Sequence, residues 1–275
     1  MKPNPIKCVL ALFSLVLPST SSAAVLFEDT FDSPGNGSWY KAGTAGTLSN
    51  ASEALSWSED GAGITEVIGR SIPSTTLGVG EMLRLTYSYT PAAANNIIRT
   101  GLYTVNGTIT QDGWGFGSTA LVGGFSGYNS FFRVNSAGNQ AARSDSGSLN
   151  TNTASTANGP LQAGTALTTV SGDTNTFTVT AGTTYTVTYE LIRTATGAIT
   201  TVYTLNNGTS DVLQVTGSST TATDFTFNAV TLRQTDGLAI YDDITLEVLP
   251  IPEPSAALLS AIGLTGLLVR RKRLA

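Results

Sequence analysis

Nineteen carboxylates are the only side chains of this 275-residue chain that could serve as acid or base near neutral pH. It has no histidine, and its one cysteine, Cys8, lies in a segment read below as removed. Serine–histidine and cysteine–histidine catalysis and histidine-ligated metal centres are thereby excluded. A pair of carboxylates can hydrolyse a glycoside when the two stand about 5–9.5 Å apart across a cleft. The acidic neighbours are Glu28-Asp29, Glu59-Asp60 and Asp242-Asp243. Neighbours on a regular strand point to opposite faces, so none of these pairs suits that chemistry. No catalytic residue is assigned, and a non-enzymatic protein is expected.

Two acids stand out by their parity. Val25, Phe27, Asp29 and Phe31 alternate along an expected first strand, and Leu238, Ile240, Asp242, Ile244, Leu246 and Val248 along an expected last one. Asp29 and Asp242 thus fall on apolar faces, where a charge is costly without a partner. A structural Ca²⁺ held by the two acids and backbone carbonyls is one solution. A β-bulge at Asp242-Asp243, or backbone hydrogen bonds to each carboxylate, is the other. A second candidate is aromatic: Trp114, Phe116 and Tyr128, with Phe125, Phe131 and Phe132, among glycine-rich turns. Exposed, these rings would stack on sugars and make a ligand surface. Buried, they fill a core.

The two ends read as addresses. Lys2 and Lys7 precede an apolar run from Cys8 to Leu17, and small residues follow Pro18. That order makes residues 1–24 a secretory signal peptide, cut after Ala23 or Ala24. At the other end, residues 251–275 contain Pro252-Glu253-Pro254, the uncharged stretch Ser255–Val269 and the basic cluster Arg270-Arg271-Lys272-Arg273. Fifteen helical residues rise about 22 Å, against a hydrocarbon core of about 30 Å. The basic cluster would stay on the cytoplasmic side. This tripartite tail closely resembles the PEP-CTERM sorting signal of Gram-negative bacteria. The resemblance implies a single transmembrane helix that enters the inner membrane transiently, and an exosortase that recognises the motif and cuts there. It also implies carriage to the cell surface or into an exopolysaccharide matrix. Signal peptidase and exosortase are the implied processing partners, and extracellular polysaccharide the implied surroundings.

Between the addresses, residues 25–250 follow period two. Tyr185, Val187, Tyr189 and Leu191 alternate with Thr184, Thr186, Thr188 and Glu190; Leu83, Leu85, Tyr87 and Tyr89 share one face; Phe177 and Val179 alternate with threonines. Strands with one buried and one wet face follow. Asn106-Gly107 and Asn207-Gly208 read as tight hairpins, and Thr194–Gly197 as a turn. The polar tract Ser144–Gly164 reads as an exposed loop or a linker. The expected fold is all-β: a single-domain sandwich of two antiparallel sheets, a jelly roll.

The body resembles the concanavalin-like jelly roll, including laminin-G-like domains, at three places. These are the opening Phe27–Asp32, the hairpin Tyr185–Asn207 with Arg193, Gly197 and Tyr203, and the closing Ala239–Val248. The resemblance implies that first and last strands are neighbours, which would bring Asp29 and Asp242 together. Between Glu28 and Glu253 eight basic residues face nineteen acids, a net charge of −11. No nucleic-acid partner is expected of so acidic a body. Two functions remain: an exported surface or matrix protein, or a lectin-like carbohydrate-binding module.

Overall fold

The computed structural model describes residues 23–32, 37–43, 46–50, 53–58, 67–93, 97–115, 124–133, 141–147, 165–167, 169–172, 177–235 and 237–251. Ala23–Ile251 form one compact unit. The signal segment 1–22, the motif Pro252-Glu253-Pro254, the apolar tail and Arg270–Arg273 lie outside the described residues, as does Phe116.

Every regular element among the described residues is a strand. The chain begins with β1 (Ala24–Asp29), β2 (Tyr40–Lys41), β3 (Thr47–Ser49), β4 (Leu55–Ser58) and β5 (Val67–Thr76). It continues through β6 (Glu81–Pro91), β7 (Ile97–Val105), β8 (Phe125–Arg133), β9 (Ala141–Gly147), β10 (Thr165–Ala166) and β11 (Thr169–Gly172). It ends with β12 (Tyr185–Ala195), β13 (Ala198–Asn206), β14 (Asp211–Ser219), β15 (Thr226–Gln234) and β16 (Leu238–Pro250). The first sheet runs β11-β14-β13-β12-β6-β16-β4-β3, with β1 also on β16; the second runs β10-β9-β8-β7-β15-β5-β2. All pairings are antiparallel, and the two sheets form a sandwich.

The expected alternation decides what lies inside. Tyr185, Val187, Tyr189 and Leu191 on β12, and Leu83, Leu85, Tyr87 and Tyr89 on β6, are buried. Their threonine and serine neighbours face outward. The core is rich in tyrosine, and its hydroxyls need partners. The Thr100 hydroxyl of the second sheet donates to Tyr203 Oη at 3.0 Å and hydrogen-bonds Tyr87 Oη at 2.7 Å. Phe132 stacks on Tyr203 with ring centres 4.4 Å apart. Burial pushes the Tyr87 and Tyr128 hydroxyls up to about 12.

Two turns fall where the sequence places them, although the β13–β14 connection is the four-residue loop Asn207–Ser210 and not a tight two-residue hairpin. Gly197 takes φ 74 in the two-residue connection of β12 and β13. Asn207 closes the β13–β14 loop by accepting from the Thr209 and Ser210 N–H groups. Elsewhere the expectations need correction. Asn106-Gly107 is not a tight hairpin: β7 pairs with β8, and Val105 stands opposite Phe125. The intervening chain instead carries Ile109 and Trp114 into a second core cluster. The tract Ser144–Gly164 is not all loop, because Ser144–Gly147 belong to β9 and pair with β8. Phe177–Thr180 is not a strand, although Val179 is buried and Phe177 meets Tyr185 edge-on at 6.0 Å.

Candidate functional site

β1 and β16 are neighbours, with Asp29 opposite Ile244. The two candidate acids therefore lie on adjacent strands, but their surroundings differ from the expectation. Asp29 keeps its inward parity beside Phe27. Its carboxylate oxygen Oδ2 accepts from Arg70 Nη1 of β5 at 2.7 Å and from Trp39 Nε1 at 3.2 Å. Arg70 and Asp29 side chains are only 20% and 12% exposed, so the pair is largely shielded from water. The Arg70 guanidinium also lies over the Phe27 ring, 4.5 Å from its centre. Gly37 passes so close, at φ 55, that a Cβ there would collide with the Asp29 carboxylate. Burial pushes the Asp29 carboxyl above its ordinary range; Arg70 and Trp39 oppose that rise.

Asp242 sits where β16 changes partners. Leu238–Tyr241 pair with β4, and Ile244–Val248 pair with β1. Between these stretches the register with β6 slips, from Asp242 opposite Ser88 to Thr245 opposite Thr86. Asp243 takes φ 50 there, and its N–H donates to Asp242 Oδ1 at 2.8 Å. One extra residue reverses the side-chain alternation. Ala239 and Tyr241 are buried before the bulge and Ile244 and Leu246 after it, while Ile240 is 39% exposed. The expected single face from Leu238 to Val248 is thus two faces joined by a bulge. Burial, with Asp243, Asp32 and Asp29 nearby, holds the Asp242 carboxyl above its ordinary range.

The calcium expectation meets an arginine. The Arg70 guanidinium takes the Oδ2 oxygen of Asp29, and a second positive charge beside it is repelled. Among the described residues, no group of three or more acids, cysteines or histidines is arranged to hold a metal ion. These surroundings do not fit Ca²⁺. Melting midpoints of the protein in millimolar calcium and in EDTA are accordingly expected to coincide; a higher midpoint in calcium would restore the metal.

The aromatic candidates separate into two layers. Tyr128 points into the space between the sheets, with its ring 6.3 Å from Phe227. Trp114 lies on the opposite side of the second sheet, in a small cluster with Ala42, Val67, Tyr103, Val105, Ile109, Phe125 and Ala229. It is fully buried, and its Nε1 donates to the Tyr40 carbonyl at 3.0 Å. Trp114 and Tyr128 therefore form no common ligand surface; both are packing residues. The strand parity of Tyr128 had this information, but Trp114 lies in a loop with no period to read.

Other described acids also bind cations. Arg84 Nε donates to Glu190 at 2.9 Å and its Nη1 lies 3.7 Å from Glu247. Lys41 meets Asp112 at 3.3 Å. Sequence reading missed Arg70 altogether, because nothing local links it to an acid 41 positions earlier.

No family model and no curated protein matches this chain. Among solved structures, it is similar to a protein of unknown function with a galectin-like fold from Bacillus subtilis, with a TM-score of 0.46 at 12% identity, over 82% of this chain and 96% of that one. It is also similar to an alginate lyase mutant in complex with alginate tetrasaccharide, with a TM-score of 0.41 at 13% identity, over 83% of this chain and 97% of that one. A beta-porphyranase from the human gut bacterium Bacteroides plebeius gives a TM-score of 0.41 at 9% identity, over 86% and 95% of the two chains.

Proposed function

We propose that this is an exported, non-enzymatic protein of the cell surface or the exopolysaccharide matrix, delivered through its C-terminal signal. The observation that carries this reading is the order of three features: Pro252-Glu253-Pro254, the uncharged Ser255–Val269, and Arg270–Arg273. The folded sheet supports it by its position. β16 runs to Pro250, and the Ile251 N–H bonds the Gly80 carbonyl at 2.8 Å, so the motif follows the sandwich in sequence without a spacer. In this scheme signal peptidase removes residues 1–24. The tail halts in the inner membrane, with its basic cluster held on the cytoplasmic side. An exosortase then releases the body by cutting at the motif. A body of net charge −11 stays soluble and is repelled from anionic lipid. The non-enzymatic part of the reading is supported by the missing histidine and by carboxylates already bound to cations.

Intact-mass measurement of protein recovered from the surface of an exosortase-bearing host tests the proposal. The expected species begins at Ala24 or Val25 and lacks Ser255–Ala275. Surface protein that retains those tail residues overturns it.

A further inference from the structure

The body is entered and left at one end of the first sheet. Ala24, the first residue of β1, stands opposite Val248 of β16, and β16 runs on only to Pro250. The Ile251 N–H then bonds the Gly80 carbonyl in the turn between β5 and β6. The chain therefore joins the sandwich after residue 23 and leaves it at Ile251 on adjacent strands, at the same end. Pro252 follows Ile251 directly, so a membrane that holds the tail also holds this end of the body near it.

That end is apolar on the outward face of the sheet. Leu249 stands opposite Met82, and Met82 opposite Ile192, a row across β16, β6 and β12. Leu83 and Leu191, their neighbours along the strands, lie in the core, so alternation turns the row outward. All three are half-buried, as is Ile251. Val25 stands opposite Glu247 and is 57% exposed. Val79 is 54% exposed at the tip of the turn between Gly78 and Gly80. That tip is held firmly: the Gly80 N–H bonds the Arg193 carbonyl at 2.8 Å, and the Gly78 N–H donates to Glu81 Oε2 at 2.7 Å. Turns favour glycine and small polar residues, so a valine presented between two glycines has no local reason to be there.

One step inward the face becomes charged, with Arg84 paired to Glu190 and Glu247. A further step inward lies a row of Thr204, Thr188, Thr86 and Thr245 in register. Exposed apolar side chains recur at the far end of β16, at Leu238 and Ile240, about 30 Å from Leu249. The chain neither enters nor leaves the body there.

We propose that Val25, Val79, Met82, Ile192, Leu249 and Ile251 form a lip that seats in the surface of a lipid bilayer while the tail tethers the chain, with the two exposed valines at the boundary of headgroups and acyl chains. This rests on the export reading and deepens it, because the lip keeps Pro252-Glu253-Pro254 at the membrane surface until it is cut. So small a lip suffices under tethering, which makes docking intramolecular and raises its effective concentration. Cutting removes the tether, and a body of net charge −11 then leaves an anionic surface.

The full chain, with its one cysteine removed by Cys8→Ser, can carry a polarity-sensitive dye on a single new cysteine. Val79→Cys and Ile192→Cys probe the lip, Thr204→Cys the middle of the face, and Ile240→Cys the far end. Each labelled chain is reconstituted into phosphatidylcholine vesicles with and without a lipid that bears a nitroxide near its headgroup. Dye at positions 79 and 192 is expected to shift to the blue and to be quenched by the nitroxide lipid; dye at 204 and 240 is expected to do neither. Val79→Asp, a change at an exposed turn tip, is expected to leave the melting midpoint unchanged and to reduce quenching at position 192. A chain that does not float with the vesicles overturns the membrane reading of the tail, and this inference with it. A chain that floats with positions 79 and 192 unquenched overturns the lip alone. A blue shift at 79 and 192 without quenching would assign the patch to the chain's own tail or a second copy, and equal quenching at all four positions would show a body lying flat; either overturns the proposal.

Discussion

Replacing Arg70 with methionine is expected to destabilise the protein by about 3 kcal/mol. The substitution keeps much of the apolar stem that packs on Phe27 but removes the charge. Asp29 is then left with Trp39 Nε1 as its remaining side-chain donor, in a site where its side chain is 12% exposed. A shielded carboxylate without its cation retains its desolvation cost and loses the attraction that offset it. The double variant Arg70→Met with Asp29→Leu removes both charges and is expected to recover most of the loss, because it leaves no shielded charge without its partner. Urea denaturation of the single and double variants reads this directly. A single-variant loss under about 1 kcal/mol would show that water screens the pair as it does at a surface. A double variant no better than the single would show that the site needs the ion pair itself.

Trp114→Ala is expected to cost about 3–5 kcal/mol, the range for emptying a large aromatic site. Trp114 has no exposed surface and is the largest side chain in the cluster on the outer side of the second sheet. Gly69 of β5 lies beneath it so closely that a Cβ would come within 2.7 Å of the indole. That fit leaves little room for the neighbours to close over a void. The change also leaves the Tyr40 carbonyl without the indole donor. Thermal or urea unfolding measures the loss. Unchanged stability would return Trp114 to the role of an exposed ligand platform, where truncation alters binding and spares the fold.

Much of the sandwich was readable in one dimension. Threonine alternating with tyrosine, valine and leucine along β6 and β12 leaves one way to bury the apolar half, and that is a sheet face. Turn residues marked the β12–β13 and β13–β14 connections because their geometry is local. Asn106-Gly107 failed as a hairpin for the opposite reason. Where β7 finds its partner depends on β8, which begins beyond an excursion over the sheet. The candidate site fared in the same way. Asp29 was rightly placed on an inward face, but the group that satisfies it comes from β5.

The sequence by itself determined that the body is built of strands, that histidine and cysteine chemistry is closed to it, and that its ends carry a basic-then-apolar run at the start and a Pro-Glu-Pro, uncharged, basic order at the finish. Those properties depend on composition and short-range order. Tertiary structure alone decided which residues meet. One additional residue at Asp242-Asp243 turns the face of the last strand, placing Tyr241 inside and Ile240 outside. Pairing of β7 with β15 and β8 sets Arg99 beside Arg233 and Phe131. The physical reason is the same in both cases. Period two fixes which side chains share a face within one strand, but a bulge can shift that face and only long-range pairing supplies its neighbours.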